Sequence, residues 1–65
     1  MKLKIPAIKK LMAQQRLTQA KLGELAGLTR CGVNLILSRG TCSIPNAGKL
    51  ADALGVEIEE IIDET

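Results

Sequence analysis

A chain of 65 residues bounds the molecule to one domain around one small core. Such a core supplies only roughly 3–5 kcal/mol, so a second subunit is a natural support. Hydrophobic residues make up 46% of the chain, which excludes a disordered tail, yet Phe, Tyr and Trp are absent and the core must be aliphatic. The net charge of +2 is uneven: residues 1–30 carry seven cations against Glu24, residues 31–65 carry Arg39 and Lys49 against six acids, which would draw a polyanion to the first half, merely solvated helix faces being the alternative.

Pro6 suits the first turn of a helix, where its missing N–H costs nothing. Ile8, Leu11 and Met12 then recur at i, i+3 and i+4, predicting a helix through about Gln15. Thr18 is a good N-cap, because its hydroxyl accepts from an otherwise orphan backbone N–H. It predicts a second helix over Gln19–Ala26, with Leu22, Leu25 and Ala26 on the apolar face beside Gly23, and Gly27 as a left-handed stop. Thr29 caps a third helix whose inward stripe is Val33, Ile36 and Leu37.

Residues 39–42 read as a loop. Ser43 caps a fourth helix with Pro45 in its first turn, an apolar face of Ile44, Ala47, Leu50, Ala51 and Leu54, and Gly55 at its end. Residues 56–62 predict a last short helix, with Ile58, Ile61 and Ile62 apolar and Glu59 and Glu60 outward, before a fraying tail over residues 63–65. The fold class is all-α, a compact bundle of about five short helices in a single domain over residues 1–65.

A capped helix, a glycine turn and a second capped helix stand in residues 17–30, LTQAKLGELAGLTR. Downstream, Ser43, Ile44 and Pro45 open a helix, and residues 50–56, LADALGV, lead to Ile61 and Ile62. This arrangement resembles the lambda-repressor-like (Cro/CI, XRE-type) helix-turn-helix DNA-binding family over nearly the whole chain, with no gap between its two halves. The resemblance implies a motif at about residues 18–37, with a recognition helix at about 30–37 entering a major groove about 12 Å wide. Steeply crossed helices must approach closely, so the small residues Ala20, Gly23 and Gly27 are expected near the crossing.

By the family's geometry the base-facing positions fall on Thr29, Arg30, Cys31, Gly32, Asn34 and Leu35. Arg30 leads, since its fork matches guanine O6 and N7, a phosphate contact or a solvated surface charge being the alternatives. Asn34, one turn later, suits adenine; Leu35 and Cys31 suit a thymine methyl; Gly32 lets the helix sit close. Gln19 resembles the family's phosphate clamp at a helix N-terminus, and Thr18, Lys21, Arg39 and Thr41 are further phosphate candidates.

This sequence departs from the family's pattern at several places. Where members often pair Glu on the recognition helix with Arg on the first helix, it has Leu37 and Met12, which implies apolar packing in place of an ion pair. Arg16 stands where Gly usually follows the first helix and is expected at positive φ. Lys21 stands where a capping-box Glu is frequent, and the loop around Cys42 lacks the usual cations.

The function this implies is a sequence-specific double-stranded DNA-binding transcriptional regulator of the repressor type. Its form would be a homodimer on a pseudo-palindromic operator. Val56, Ile58 and Ile62 are candidates for the self-contact, simple core packing being the alternative. A protein-interaction module or antitoxin-type partner on the same fold is the other reading. Catalysis fits poorly, as there is no His, no Cys/His pair and no Gly-rich loop after a strand. No cofactor, metal or small-molecule effector site is expected, and Cys31 and Cys42 read as ordinary small side chains. No apolar run approaches the ~18 residues of a membrane span and no leader block opens the chain, so a cytoplasmic location is expected.

Overall fold

The computed structural model describes residues 1–63, in which four α-helices follow one another: α1 (Ile5–Gln15), α2 (Gln19–Ala26), α3 (Arg30–Arg39) and α4 (Ile44–Leu54). The fifth helix expected over residues 56–62 is a single 3₁₀ turn, Ile58–Glu60. Its tight i→i+3 bonds, Glu60 N–H to the Glu57 carbonyl at 3.0 Å and Ile61 N–H to the Ile58 carbonyl at 3.1 Å, end when Ile62 is drawn into pairing with Leu3.

The helices stop by one shared device. Arg16, Gly27, Gly40 and Gly55 all take left-handed backbone, with φ of 55°, 73°, 72° and 73°. At three of these ends the next residue folds back, donating its N–H into the last turn: Leu17 to Met12 at 2.8 Å, Leu28 to Gly23 at 2.7 Å, and Val56 to Ala51 at 3.0 Å. Leu17, Leu28 and Val56 are also half-buried against the core, so each stop is sealed by an apolar side chain.

The helix starts are less uniform. Thr18 Oγ1 accepts from Lys21 N–H at 3.1 Å and Thr29 Oγ1 from Gly32 N–H at 2.9 Å, as expected. Ser43 has the extended backbone of a cap but makes no side-chain cap bond. Pro45 follows within the first turn and removes one of the N–H groups such a hydroxyl would take.

The core draws one large, fully buried side chain from each segment: Ile8 from α1, Leu22 from α2, Val33 from α3, Leu50 from α4 and Ile61 from the end of the final turn. Each such aliphatic side chain contributes about 1.5–3 kcal/mol on leaving water. Met12 and Leu37, for which apolar packing is expected, are both buried in this cluster. Two expectations fail here. Leu25 and Ile44, read as inward, are 51% and 66% exposed. α2 is only eight residues long and buries a narrow stripe of Leu22, Gly23 and Ala26, while Ile44 opens α4 a turn before Ala47, the first α4 residue to reach the core.

Residues 1–4, without an assignment from sequence, run extended between the loop after α3 and the end of the described chain. Leu3 N–H donates to Gly40 at 2.9 Å and Cys42 N–H to Met1 at 3.0 Å on one flank. On the other, Lys4 N–H donates to Ile61 at 2.7 Å and Asp63 N–H to Lys2 at 2.8 Å. Both pairings are antiparallel, Lys2 opposite Thr41 and Leu3 opposite Ile62. Asp63 is therefore tied rather than frayed, and Glu64 and Thr65 of the expected tail lie outside the described residues. The Gln15 side-chain amide clips the two helix ends together, donating to the Leu54 carbonyl at 2.6 Å.

Arg16, with φ of 55°, is the one non-glycine among the described residues with positive φ. That conformation costs an L-residue roughly 1–2 kcal/mol, against about 0.5–1 kcal/mol of extra chain entropy that glycine would lose on folding. Arg16→Gly is therefore expected to stabilise the fold by about 0.5–1 kcal/mol in urea denaturation, and a loss of stability would contradict the strain assigned to Arg16.

Candidate nucleic-acid interface

The crossing of α2 and α3 depends on Gly23. A Cβ built there would lie 2.8 Å from the Leu28 carbonyl oxygen and 3.2 Å from that of Thr29, both backbone atoms that cannot swing aside. Glycine lets the turn close against α2. The other small residues expected at the crossing act differently. A Cβ on Gly27 would meet nothing within 4 Å, so that glycine serves its positive φ, and Ala20 is exposed on the surface.

Closing the turn sets the first turn of α3 beside the first turn of α2. A shallow groove runs between them, lined at one end by Thr18, Gln19, Ala20 and Arg30 and at the other by Gln19, Arg30, Cys31 and Asn34. Arg30, Cys31, Asn34 and Leu35 are exposed, while Val33 and Ile36 between them are inward, so α3 buries one stripe and presents the other. Gly32 is half-buried, and a Cβ there would meet the Thr29 hydroxyl at 3.2 Å, so its smallness also makes room for the cap that orders this turn.

The remaining candidates stand apart from the groove. Lys21 Nζ lies 3.7 Å from the Glu24 carboxylate one turn along α2; with both side chains mostly exposed, the pair contributes little. Arg39 sits in the last turn of α3, roughly 13–14 Å along the helix from Arg30. Thr41 is exposed, and its hydroxyl donates to the Met1 carbonyl at 2.8 Å, which makes it part of the pairing with residues 1–4. Val56 and Ile58 are half-buried, whereas Ile62 is 8% exposed and belongs to the core.

Electrostatically the region is one-sided. From Leu25 to Ala51 the chain contains no Asp or Glu, and its formal charges are Arg30, Arg39 and Lys49. Neither α3 nor the loop after it carries a carboxylate of its own. Burial pushes the Cys42 thiol up, against the pull of the Met1 ammonium, so it stays a poor nucleophile at neutral pH; Cys31 is exposed in the groove. Among the described residues no group of three or more His, Cys, Asp or Glu is gathered to hold a metal, and no helix is long and apolar enough to cross a membrane.

Two threonine-capped helices crossing at a glycine, with the second helix turned outward, define a helix-turn-helix domain. Compared with known protein families, residues 7–64 match the Cro/C1-type HTH DNA-binding domain, and the chain belongs to that family. No curated protein and no solved structure matched it.

The two kinds of cap make a paired test. Thr29→Ala removes a formed bond at the start of α3 and is expected to cost about 1 kcal/mol of stability. Ser43→Ala removes none and is expected to stay within about 0.5 kcal/mol of the parent. Equal losses in chemical denaturation would show that the cap assignments are wrong.

Proposed function

We propose that the chain acts as one domain over residues 1–65 and is a sequence-specific regulator of transcription. In this reading it binds double-stranded DNA with α3 in the major groove. The observation that carries this is the groove shared by the starts of α2 and α3, where Arg30 and Asn34, on a helix free of carboxylates, stand exposed beside Gln19. An incoming phosphate meets the N-terminal N–H groups of α2 at Gln19, with Thr18 and Lys21 adjoining. That contact sets the depth at which α3 enters.

Arg30 then reads guanine through its two-pronged guanidinium, and Asn34, four residues on, pairs with adenine. Cys31 and Leu35 offer apolar surface to thymine methyls, Thr29 lies at the mouth of the groove, and Gly32 keeps the helix close. Arg39 and Thr41 reach phosphates at the other end of α3. In this reading the role is binding rather than catalysis, and the regulation is of the repressor type.

A core this small gains from association, and two copies related by a two-fold axis would read a pseudo-palindromic operator. Val56 and Ile58, both half-buried, are the side chains left for that contact, since Ile62 is taken up inside the core. A protein-interaction or antitoxin-type module is the second reading, and the exposed Leu25, Leu35 and Ile44 favour it. It requires no affinity for duplex DNA even at low salt.

Selection of bound duplexes from a random pool, followed by titration, tests the proposal. Affinity is expected to fall linearly on a log scale with log salt. Arg30→Ala should lower affinity for the selected duplex by about 1–3 kcal/mol and relax its preference at one base pair. A loss that is uniform across all sequences would instead make Arg30 a phosphate contact.

A further inference from the structure

We infer that residues 1–4 form a second DNA-backbone element, in which Lys2 and Lys4 supply flanking phosphates with the cations that the loop after α3 lacks. This extends the DNA-binding reading above and rests on it.

The loop itself is uncharged: no cation occurs between Gly40 and Gly48. The residue held opposite its Thr41 is Lys2, in an antiparallel bridge that sets the two Cα atoms roughly 4.5–5.5 Å apart. Backbone bonds clamp this segment on both flanks, to Gly40 and Cys42 on one side and to Ile61 and Asp63 on the other. It is therefore an ordered part of the fold rather than a free arm, and little ordering entropy remains to be lost on binding.

Its side chains alternate. Leu3 is 6% exposed and belongs to the core, so Lys2 and Lys4, both exposed, stand on the opposite, solvent-facing side. The two flanks also differ in charge. Glu59, Glu60 and Asp63 all belong to the flank formed by the end of the chain, whereas the flank formed by the loop has no carboxylate before Asp52. A phosphate backbone is thus drawn to the loop side, the side continuous with Arg39 and α3. Recognition would be of phosphate alone, so these lysines add affinity at every sequence and discrimination at none.

The test compares salt titrations of the wild-type chain and the double variant Lys2→Gln/Lys4→Gln. Both are measured on the duplex selected from the random pool and on a scrambled duplex of equal length. Losing two phosphate contacts should flatten the slope of log affinity against log salt by about 1.8, with the ratio between the two duplexes unchanged. Lys2→Arg/Lys4→Arg should keep the wild-type slope, and Lys49→Gln, on α4, should leave it intact. Neutral methylphosphonates placed at the flanks of the duplex should weaken the wild type and not the double variant, a readout that a folding defect would not reproduce.

An unchanged slope in the double variant overturns the proposal. So does an equal flattening by Lys49→Gln, which would mark a bulk charge effect. If the wild type itself binds no duplex at low salt, the DNA-binding reading fails and takes this inference with it, an outcome visible before any variant is made.

Discussion

The place where Gly23 meets the backbone of Leu28 and Thr29 governs the rest of the structure. Helices of eight and ten residues are marginal by themselves, and what fixes them is packing against each other and, for α2, against α4. With no side chain at position 23, the turn closes onto α2 and the cap of α3 falls beside the start of α2. Every distance within the groove follows from that approach. Gly23 and Leu28 are not themselves proposed DNA contacts, yet together with Thr29 they decide where Arg30 and Asn34 stand relative to Gln19. The same closure brings Leu22 and Val33 to complete burial, so the geometry of the groove and the integrity of the core are one property.

A second constraint is the absence of aromatic residues. An aliphatic core has no large flat side chain to fill a gap, so voids must be closed by moving helices together. That explains the frequency of small residues where helices meet: Gly23, Ala26, Ala47 and Ala51 are all buried. It also accounts for the seals at the helix ends, where Leu17, Leu28 and Val56 fold back onto the core just after each left-handed residue. Met12 and Leu37 belong to the same economy of means. An apolar pair avoids the desolvation that a buried ion pair would carry and suits a core this small.

Much of this was legible in the sequence, because its signals are local. The hydroxyls of Thr18 and Thr29, the left-handed stop at Gly27, and the stripe of Val33, Ile36 and Leu37 each follow from residues within one turn of each other, and all stand in the structure as read, whereas the left-handed Arg16 is implied only by the resemblance. What escaped was non-local or a matter of edges. Nothing in residues 1–4 announces that they pair with segments some forty and sixty residues away, and no periodicity could reveal the bond from Gln15 to Leu54. Leu25 and Ile44 sit at helical spacing for burial, but short helices offer the core only a narrow stripe. The final segment has the right apolar residues for a helix and too little chain before pairing with Leu3 takes over. The proposed contacts are legible only as a surface, since exposure and charge show what a side chain presents and not what it touches.

The attachment of α3 completes the argument. Its start is held by the Thr29 cap and the contact at Gly23, its middle by Val33 and Ile36, and its end by Leu37 in the core and by Gly40, whose carbonyl accepts from Leu3. A helix anchored at start, middle and end has no separate freedom to tilt or slide, so it meets a partner as a rigid body with the rest of the fold. Under the proposed function, discrimination between DNA sequences then comes from the reach of individual side chains and from the cost of deforming the duplex. The extended segment at residues 1–4 ties down the end of α3 through the bond from Leu3 to Gly40. It couples the loop at residues 40–42 to the end of the chain, and it removes the slack that a short, glycine-capped helix would otherwise keep.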